Sequence, residues 1–556
     1  MKKINKIQIL LFLFLGITFI SCETTDLDLL DDPNNITLDK ADLNRYMTEI
    51  QLDFANFIYQ IGDNGSELTR IEYMFGRNYV NNYQPVSSNG IWSLAYQAMF
   101  SDMKQAEAIA VELGENNHLG IIKILKAYTL MTLVDFYGDV PLSEATNPTE
   151  FPFPSVDGGG SVYASAIGML NDGVALLNLN EGGALEFDFF YDNDFDNWAK
   201  LGNTLKMAAY VNTRLVDGSA MANFNAIVNS GNYITNNADD FEFQFGTSVI
   251  NPNTRHNAYD ADYTATGAGN YRANWIMNQM LVDNDPRIRY YFYRQTPCTP
   301  GNVDANGIPC EPDQQRIICS TQGPPIHYTA DMPFCSVANG YWGRDHGNAE
   351  GIPPDNFFRT VVGVYPAAGK FDDDDFSPVN LDLGGQGEGI VPIMLASWAD
   401  LMRAEMALVS GNAGTAGAHL QSAMQKSIDK VMGFISVDPD ADGDFEPTGS
   451  EVNDYISAKI SEFSNVGSDE KWNILSEQHF VSHYGNGIEA YNLYRRTGFP
   501  KTLQFNIEAA SGNFVRSFLY PSNEADTNSN IAQKPNVDIK VFWDTNPPSP
   551  GFPFAN

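Results

Sequence analysis

Basic residues are scarce in this chain. Lys and Arg number 33 against 69 Asp and Glu, a formal net charge of −36 at pH 7. A field of that sign repels phosphate backbones and anionic headgroups, so no nucleic-acid partner is expected. Cysteine is almost absent as well, with five in 556 residues. Four of them, Cys298, Cys310, Cys319 and Cys335, share one short stretch and form no Cys-x-x-Cys pair of the kind structural zinc uses. Gly-x-Ser-x-Gly elbows, P-loops and Gly-rich strand-to-helix turns are all missing, which removes the motifs of the common nucleophile and nucleotide chemistries. Beyond the N-terminus no apolar stretch is expected to cross a membrane. Aromatic residues, in contrast, are plentiful: 35 Phe, 26 Tyr and 7 Trp can fill a sizeable core and leave rings over for a surface.

The N-terminus has its own logic. Lys2, Lys3 and Lys6 precede a mostly apolar run, Ile7 to Ile20, shorter than the roughly 20 residues a membrane span takes. Residues 1–21 therefore read as a signal peptide. The run ends Phe19-Ile20-Ser21-Cys22, a lipobox-like site with a small residue before the cysteine and Phe where Leu is usual. Cys22 is expected to carry lipid (palmitate among it) and to anchor the chain without spanning the bilayer. The alternative is an ordinary secretory signal in which Cys22 is incidental. Residues 22–42 are acidic and polar, a tether, and the folded body is placed at 43–556. In an exported chain the four clustered cysteines read as two disulfides of open connectivity, with a zinc site as the rival.

Helical periodicity dominates the first half. Ile91 to Leu113 carries Trp92, Ala95, Met99, Met103, Ala106 and Ala110 at core-face spacing. His118 to Tyr137 follows and is stopped by Asp139-Val-Pro-Leu142. Ser161 to Leu179 and Phe195 to Leu215 form another pair. The pattern returns at Val391 to Ser410, Ala413 to Gly433, and Ser468 to Arg496. Stacked helix pairs suggest a tetratricopeptide-like scaffold over about 43–245 and 391–500. Between them, about 246–390 is rich in Asn, Asp, Gly, Pro and Tyr and reads as an irregular, loop-rich lobe; 501–556 is an irregular C-terminal segment. The fold class is mainly α.

Several clusters carry chemistry. Asp438-Pro-Asp440-Ala-Asp442-Gly443-Asp444 opens like a calcium loop, but Gly449 stands where the bidentate Glu belongs. A structural calcium and a solvated acidic turn both remain open; no other cofactor is implied. His479 and His483 sit four apart, but Phe480 replaces the Glu that a metalloprotease needs, so they read as ordinary helix histidines. The acid runs Asp372 to Asp375 and Glu186 to Asp196 do not single out a catalytic carboxylate pair. Three aromatic groups are candidate ligand platforms: Tyr341, Trp342 and Arg344 on a glycine-flanked loop; Trp275 beside Tyr271 and Arg272; and Tyr79, Asn82 and Tyr83. Each also reads as the packing of an irregular lobe. Gly340 and Gly343 are expected to permit close backbone approach. Trp92, Trp198, Trp398 and Trp472 lie in helical pattern and are expected in the core.

Four blocks resemble the SusD/RagB family of nutrient-binding outer-membrane lipoproteins. They are Ala127 to Ala145, which contains Asp135-Phe-Tyr-Gly138-Asp139-Val-Pro141; Asn197-Trp-Ala-Lys-Leu-Gly-Asn203; Gly487 to Pro500 with Arg495-Arg496-Thr-Gly-Phe-Pro; and Tyr-Pro521-Ser-Asn523-Glu524. They run in the family's order over most of the chain, while the cysteine-rich insert departs from it. The resemblance implies four tetratricopeptide-like helix pairs bearing a loop-rich lobe. It also implies a role: a surface lipoprotein that is no enzyme, holding oligosaccharide or oligopeptide for a SusC-like TonB-dependent outer-membrane transporter. A secreted glycoside hydrolase or peptidase on a helical scaffold is the rival. The blocks themselves are expected to be structural, with Gly138 in the left-handed conformation and Arg495 and Arg496 pairing with carboxylates or chain carbonyls.

Overall fold

A computed structural model describes residues 42–298, 319, 322–350, 359–553 and 555. The signal peptide, Cys22, most of the tether and Cys310 lie outside the described residues. Residues Asn44–Asn556 form one compact unit.

The chain begins with α1 (Leu43–Leu68) and the short α2 (Tyr79–Asn82). Next come α3 (Asn89–Ser93), a π-helical turn (Leu94–Met99) and α4 (Phe100–Leu113), then α5 (Asn116–Tyr137), α6 (Gly159–Leu179), α7 (Phe195–Thr213) and α8 (Ala220–Ser230). The lobe holds β1 (Phe241–Gln244), α9 (Asn257–Asp262), α10 (Asn274–Asp283), α11 (Ile288–Tyr291), β2 (Phe292–Tyr293) and β3 (Val361–Val362). After β4 (Ile390–Met394) the scaffold resumes with α12 (Ala396–Val409), α13 (Ala413–Met432), α14 (Gly449–Asn465), α15 (Ser468–Ser482) and α16 (Ile488–Thr497), and α17 (Ser522–Ala525) lies in the tail. Two antiparallel strand pairs, β1 with β4 and β2 with β3, are the sheets of the described residues.

Consecutive helices pack on each other: α4 on α5, α5 on α6, α6 on α7, and likewise through α12 to α15, with α12 also meeting α7. Small residues at the crossings let the axes close in. A Cβ on Gly120 would fall 2.8 Å from Leu177, one on Gly173 would fall 2.9 Å from the Gly120 carbonyl, and one on Gly202 would fall 2.6 Å from Val174. Helix α5 is buried on nearly every face, as a helix apolar all round must be. Helix α6 is the one described helix long and apolar enough to cross a membrane, against the sequence expectation. Its apolar side packs on α5 and α7.

Two expectations shift. The periodic run from Val391 is a strand before it is a helix: Pro392 cannot donate within a helix interior, so Ile390–Met394 pairs with β1 and α12 starts at Ala396. Gly138 does carry a positive φ of 80°, but its ψ of −114° lies outside the left-handed helical region. Trp92, Trp198 and Trp398 are buried; Trp472 is half-buried against Phe499.

The family-like blocks sew the tail onto the scaffold. The Asp135 carboxylate accepts from Tyr163, from Trp543 Nε1 at 2.8 Å and from Asn492 Nδ2 at 2.8 Å. Arg495 donates to the carbonyls of Asp135 at 2.6 Å and Arg516 at 2.7 Å. Arg496 forms a two-pronged pair with Glu405 at 3.0 and 2.9 Å, and Arg214 reaches the same carboxylate at 3.0 Å.

Candidate functional site

Helix α1 turns one polar stripe, Tyr59, Asp63 and Glu67, toward a cavity of about 810 Å³. These residues are four apart and so share a helix face. The loop after α1 adds Glu72, Tyr73 and Phe75, the lobe adds His256, Tyr271, Arg272, Arg344 and Arg359, and the turn between α15 and α16 adds Tyr484 and Gly485. The cavity thus lies where the helical scaffold meets the irregular lobe.

Its walls differ in character. On one, the guanidinium carbons of Arg344 and Arg359 each lie 4.1 Å from the centre of the Tyr271 ring. Both guanidiniums are thus held against the one ring, within cation–π reach. Arg344 also donates to the Glu350 carbonyl at 2.7 Å, and Arg359 to that of Gly269 at 3.2 Å. On the other wall stand carboxyls. Arg272 pairs with Glu72 at 3.0 Å and with Asp262 at 3.1 Å, while Glu67 accepts from the Tyr83 hydroxyl at 2.9 Å. Burial, reinforced by the Asp63 charge, pushes the Glu67 carboxyl up to about 8. Burial also raises Glu72 to about 7, against the pull of Arg272, and raises Asp63. His256 is pushed down to about 3 by burial and is neutral.

Phe75 stands apart from this polar lining. The residue is 63% exposed, and it lines the cavity as an open apolar face. Gly76 follows at a φ of +110°, and Asn82 Nδ2 donates to the Phe75 carbonyl at 2.5 Å. Tyr73 meets the Tyr271 ring edge-on, with centroids 6.2 Å apart. Free apolar ring, fixed guanidinium forks and carboxyls in one concavity are what an oligomer with both apolar faces and hydroxyls or amides requires.

The sequence candidates fare unequally. Arg344 lines the cavity as a buried residue, 6% exposed. Tyr341 lines a second cavity of about 940 Å³ but is 3% exposed, beneath the Arg294 guanidinium. Trp342 is 2% exposed and packs on Cys319 and Cys335. Trp275 donates to the Thr502 carbonyl at 2.9 Å and lies against Phe480. Tyr79 is enclosed by Arg70, His346 and Phe514, and Tyr83 lies between Glu67 and Phe518. Asn82 is half-buried and acts on the loop of Phe75 rather than toward the cavity. In this structure the candidate rings serve as core. Gly343 does permit a close approach, but of the chain to itself: a Cβ there would sit 2.3 Å from the Arg272 carbonyl. Phe75 was missed, although Tyr73-Met-Phe75-Gly76 has the same aromatic-beside-glycine signature just past a helix.

Among the described residues no group of three or more His, Cys, Asp or Glu side chains could hold a metal ion. Asp438 accepts from the Phe371 amide at 2.8 Å and the Asp440 amide at 3.1 Å, and Asp442 accepts from the Asp444 amide at 3.0 Å. The carboxylates of Asp438, Asp440, Asp442 and Asp444 are therefore not gathered around one point. His483 stacks between His479 and Trp398, with ring centroids 4.0 Å from each, and burial lowers the pKa of both histidines. Cys319 and Cys335 form a disulfide. Cys298 is disulfide-bonded too, and its partner lies outside the described residues.

The fold and cavity define a helical-repeat scaffold that presents a ligand-sized concavity at its junction with a loop-rich lobe. Two family profiles match the chain: one described as "Starch-binding associating with outer membrane" over residues 33–337, and one described as "Susd and RagB outer membrane lipoprotein" over 384–541. The chain belongs to the SusD/RagB family. Among solved structures it is similar to a chitin-binding protein, with a TM-score of 0.65, 19% identity, and coverage of 91% of this chain and 100% of that one. It is also similar to a chitin-binding SusD homologue from Flavobacterium johnsoniae (TM-score 0.62, 18% identity, 91% and 99% covered). A SusD homologue from Bacteroides uniformis gives 0.63, 17%, 91% and 99%. At these identities the likeness is one of fold. No curated protein sequence matches the chain.

Proposed function

We propose that this chain captures an oligosaccharide in the 810 Å³ cavity and passes it to a TonB-dependent transporter. In this reading the chain is held at the outer face of the outer membrane by lipid on Cys22. The observation that carries the binding site is the exposed Phe75 ring facing the same space as the Tyr271 stack with Arg344 and Arg359. Sugars offer C–H faces to a ring and hydroxyls to a fork of N–H donors. Chitin binding by two structural neighbours supports a glycan over a peptide.

The test is calorimetric titration of the mature chain with an N-acetylglucosamine hexamer, maltoheptaose and a mixed oligopeptide pool, followed by chromatography of each mixture. Saccharide binding without cleavage is the expected result. Peptide binding alone would overturn the ligand class, and cleavage would replace binding by hydrolysis. For location, Cys22→Ala should release the protein from membranes; full retention and fatty-acid labelling of that variant would overturn the anchor.

A further inference from the structure

We propose that the Cys319–Cys335 disulfide is a positioning group for the cavity: through Trp342 and Asp345 it holds Arg344 and Arg359 against the Tyr271 ring. The proposal rests on the reading of that cavity as the ligand site.

Cys319, Cys335 and Trp342 form a small buried cluster of their own. The Cys335 amide donates to the Asp345 carboxylate at 2.7 Å. Asn274 Nδ2 at 2.9 Å and Gln504 Nε2 at 2.8 Å donate to the other oxygen of that carboxylate. Both neighbours of the Gly343–Arg344 step are thus gripped from the disulfide side. Arg344 is then docked by its backbone: its amide donates to the Arg272 carbonyl at 2.9 Å, and its carbonyl accepts from the Asn274 amide at 2.9 Å. Trp342 reaches the second arginine too. Its amide donates to Thr360 Oγ1 at 2.8 Å and its carbonyl accepts from the Thr360 amide at 3.0 Å, directly beside Arg359. The covalent link is therefore tied through Trp342 and Asp345 to the chain on both sides of Arg344 and to the residue after Arg359. Groups held in place beforehand lose less freedom when a ligand arrives.

Three variants separate positioning from bulk stability: Cys319→Ala with Cys335→Ala; Arg344→Ala with Arg359→Ala; and all four changes together. Titrated with the N-acetylglucosamine hexamer and maltoheptaose, removal of the disulfide should weaken binding about tenfold. In the chain lacking both arginines its removal should cost under about twofold more; losses that simply multiply would overturn the proposal. Amide exchange supplies a readout that needs no ligand. Peptides over 341–346 and 359–362 should exchange about tenfold faster without the disulfide while α5 keeps its protection. Equal exchange there overturns the proposal. If the intact chain binds neither saccharide but exchange still responds as stated, the cavity assignment fails and the positioning of the arginines stands.

Discussion

Replacing Phe75 with Ala probes the cavity where it is most open. A phenylalanine encloses about 150–250 Å² when fully buried, and this residue is 63% exposed. About 95–160 Å² is therefore free to be covered, and a ligand lying on one face would take about half, ~50–80 Å². At ~25 cal/mol per Å² that is about 1.2–2 kcal/mol, or roughly sevenfold to thirtyfold in affinity. Stability should change little, because most of the ring already contacts water in the free protein. Titration of the N-acetylglucosamine hexamer or the other saccharide that binds, run beside urea unfolding of the same variant, reads both quantities. Phe75→Tyr should keep most of the affinity. An unchanged dissociation constant for Phe75→Ala, or a fall in stability as large as the loss of affinity, would refute the assignment of this ring to the ligand.

Three further outcomes are expected. Trp342→Ala should cost about 3–5 kcal/mol in denaturant unfolding, as truncations of enclosed tryptophans do; a cost under about 1 kcal/mol would contradict its burial among the cysteines. Arg496→Met should destabilise by about 3–5 kcal/mol, because it strips a partner from the buried Glu405 carboxylate, and an unaltered unfolding midpoint would show the pair to be dispensable. Burial holds the Glu67 carboxyl at about 8 in the folded chain, against ~4.3 unfolded. Between those values the folded state keeps a proton the unfolded chain has lost, so this group's contribution to stability is present at low pH and fades as pH rises toward 8. Glu67→Gln should flatten that decline in unfolding curves taken from about pH 5 to 9, and an identical slope in both proteins would count against the raised pKa.

Helix existence was legible because it rests on local spacing: α5 and α7 start and stop within a few residues of where periodicity and Pro141 place them. The structural role of Arg495 and Arg496 followed from their chemistry, since a buried guanidinium needs carboxylates or carbonyls, and Glu405, Asp135 and Arg516 supply them. Exposure was not legible. Tyr341-Trp342 and Tyr73-Met-Phe75 look alike as strings, each an aromatic group beside a glycine. One is enclosed by a disulfide and a second loop some twenty residues away in sequence, and the other is left facing open space. Local sequence determines φ, ψ and helical faces through short-range sterics and hydrogen bonds. Which ring is covered depends on what the chain brings back from a distance: Cys319 against Trp342, Thr360 against its backbone, and Arg344 with Arg359 against Tyr271. Those contacts are set by how the lobe closes on the helices, and only the tertiary structure decided them.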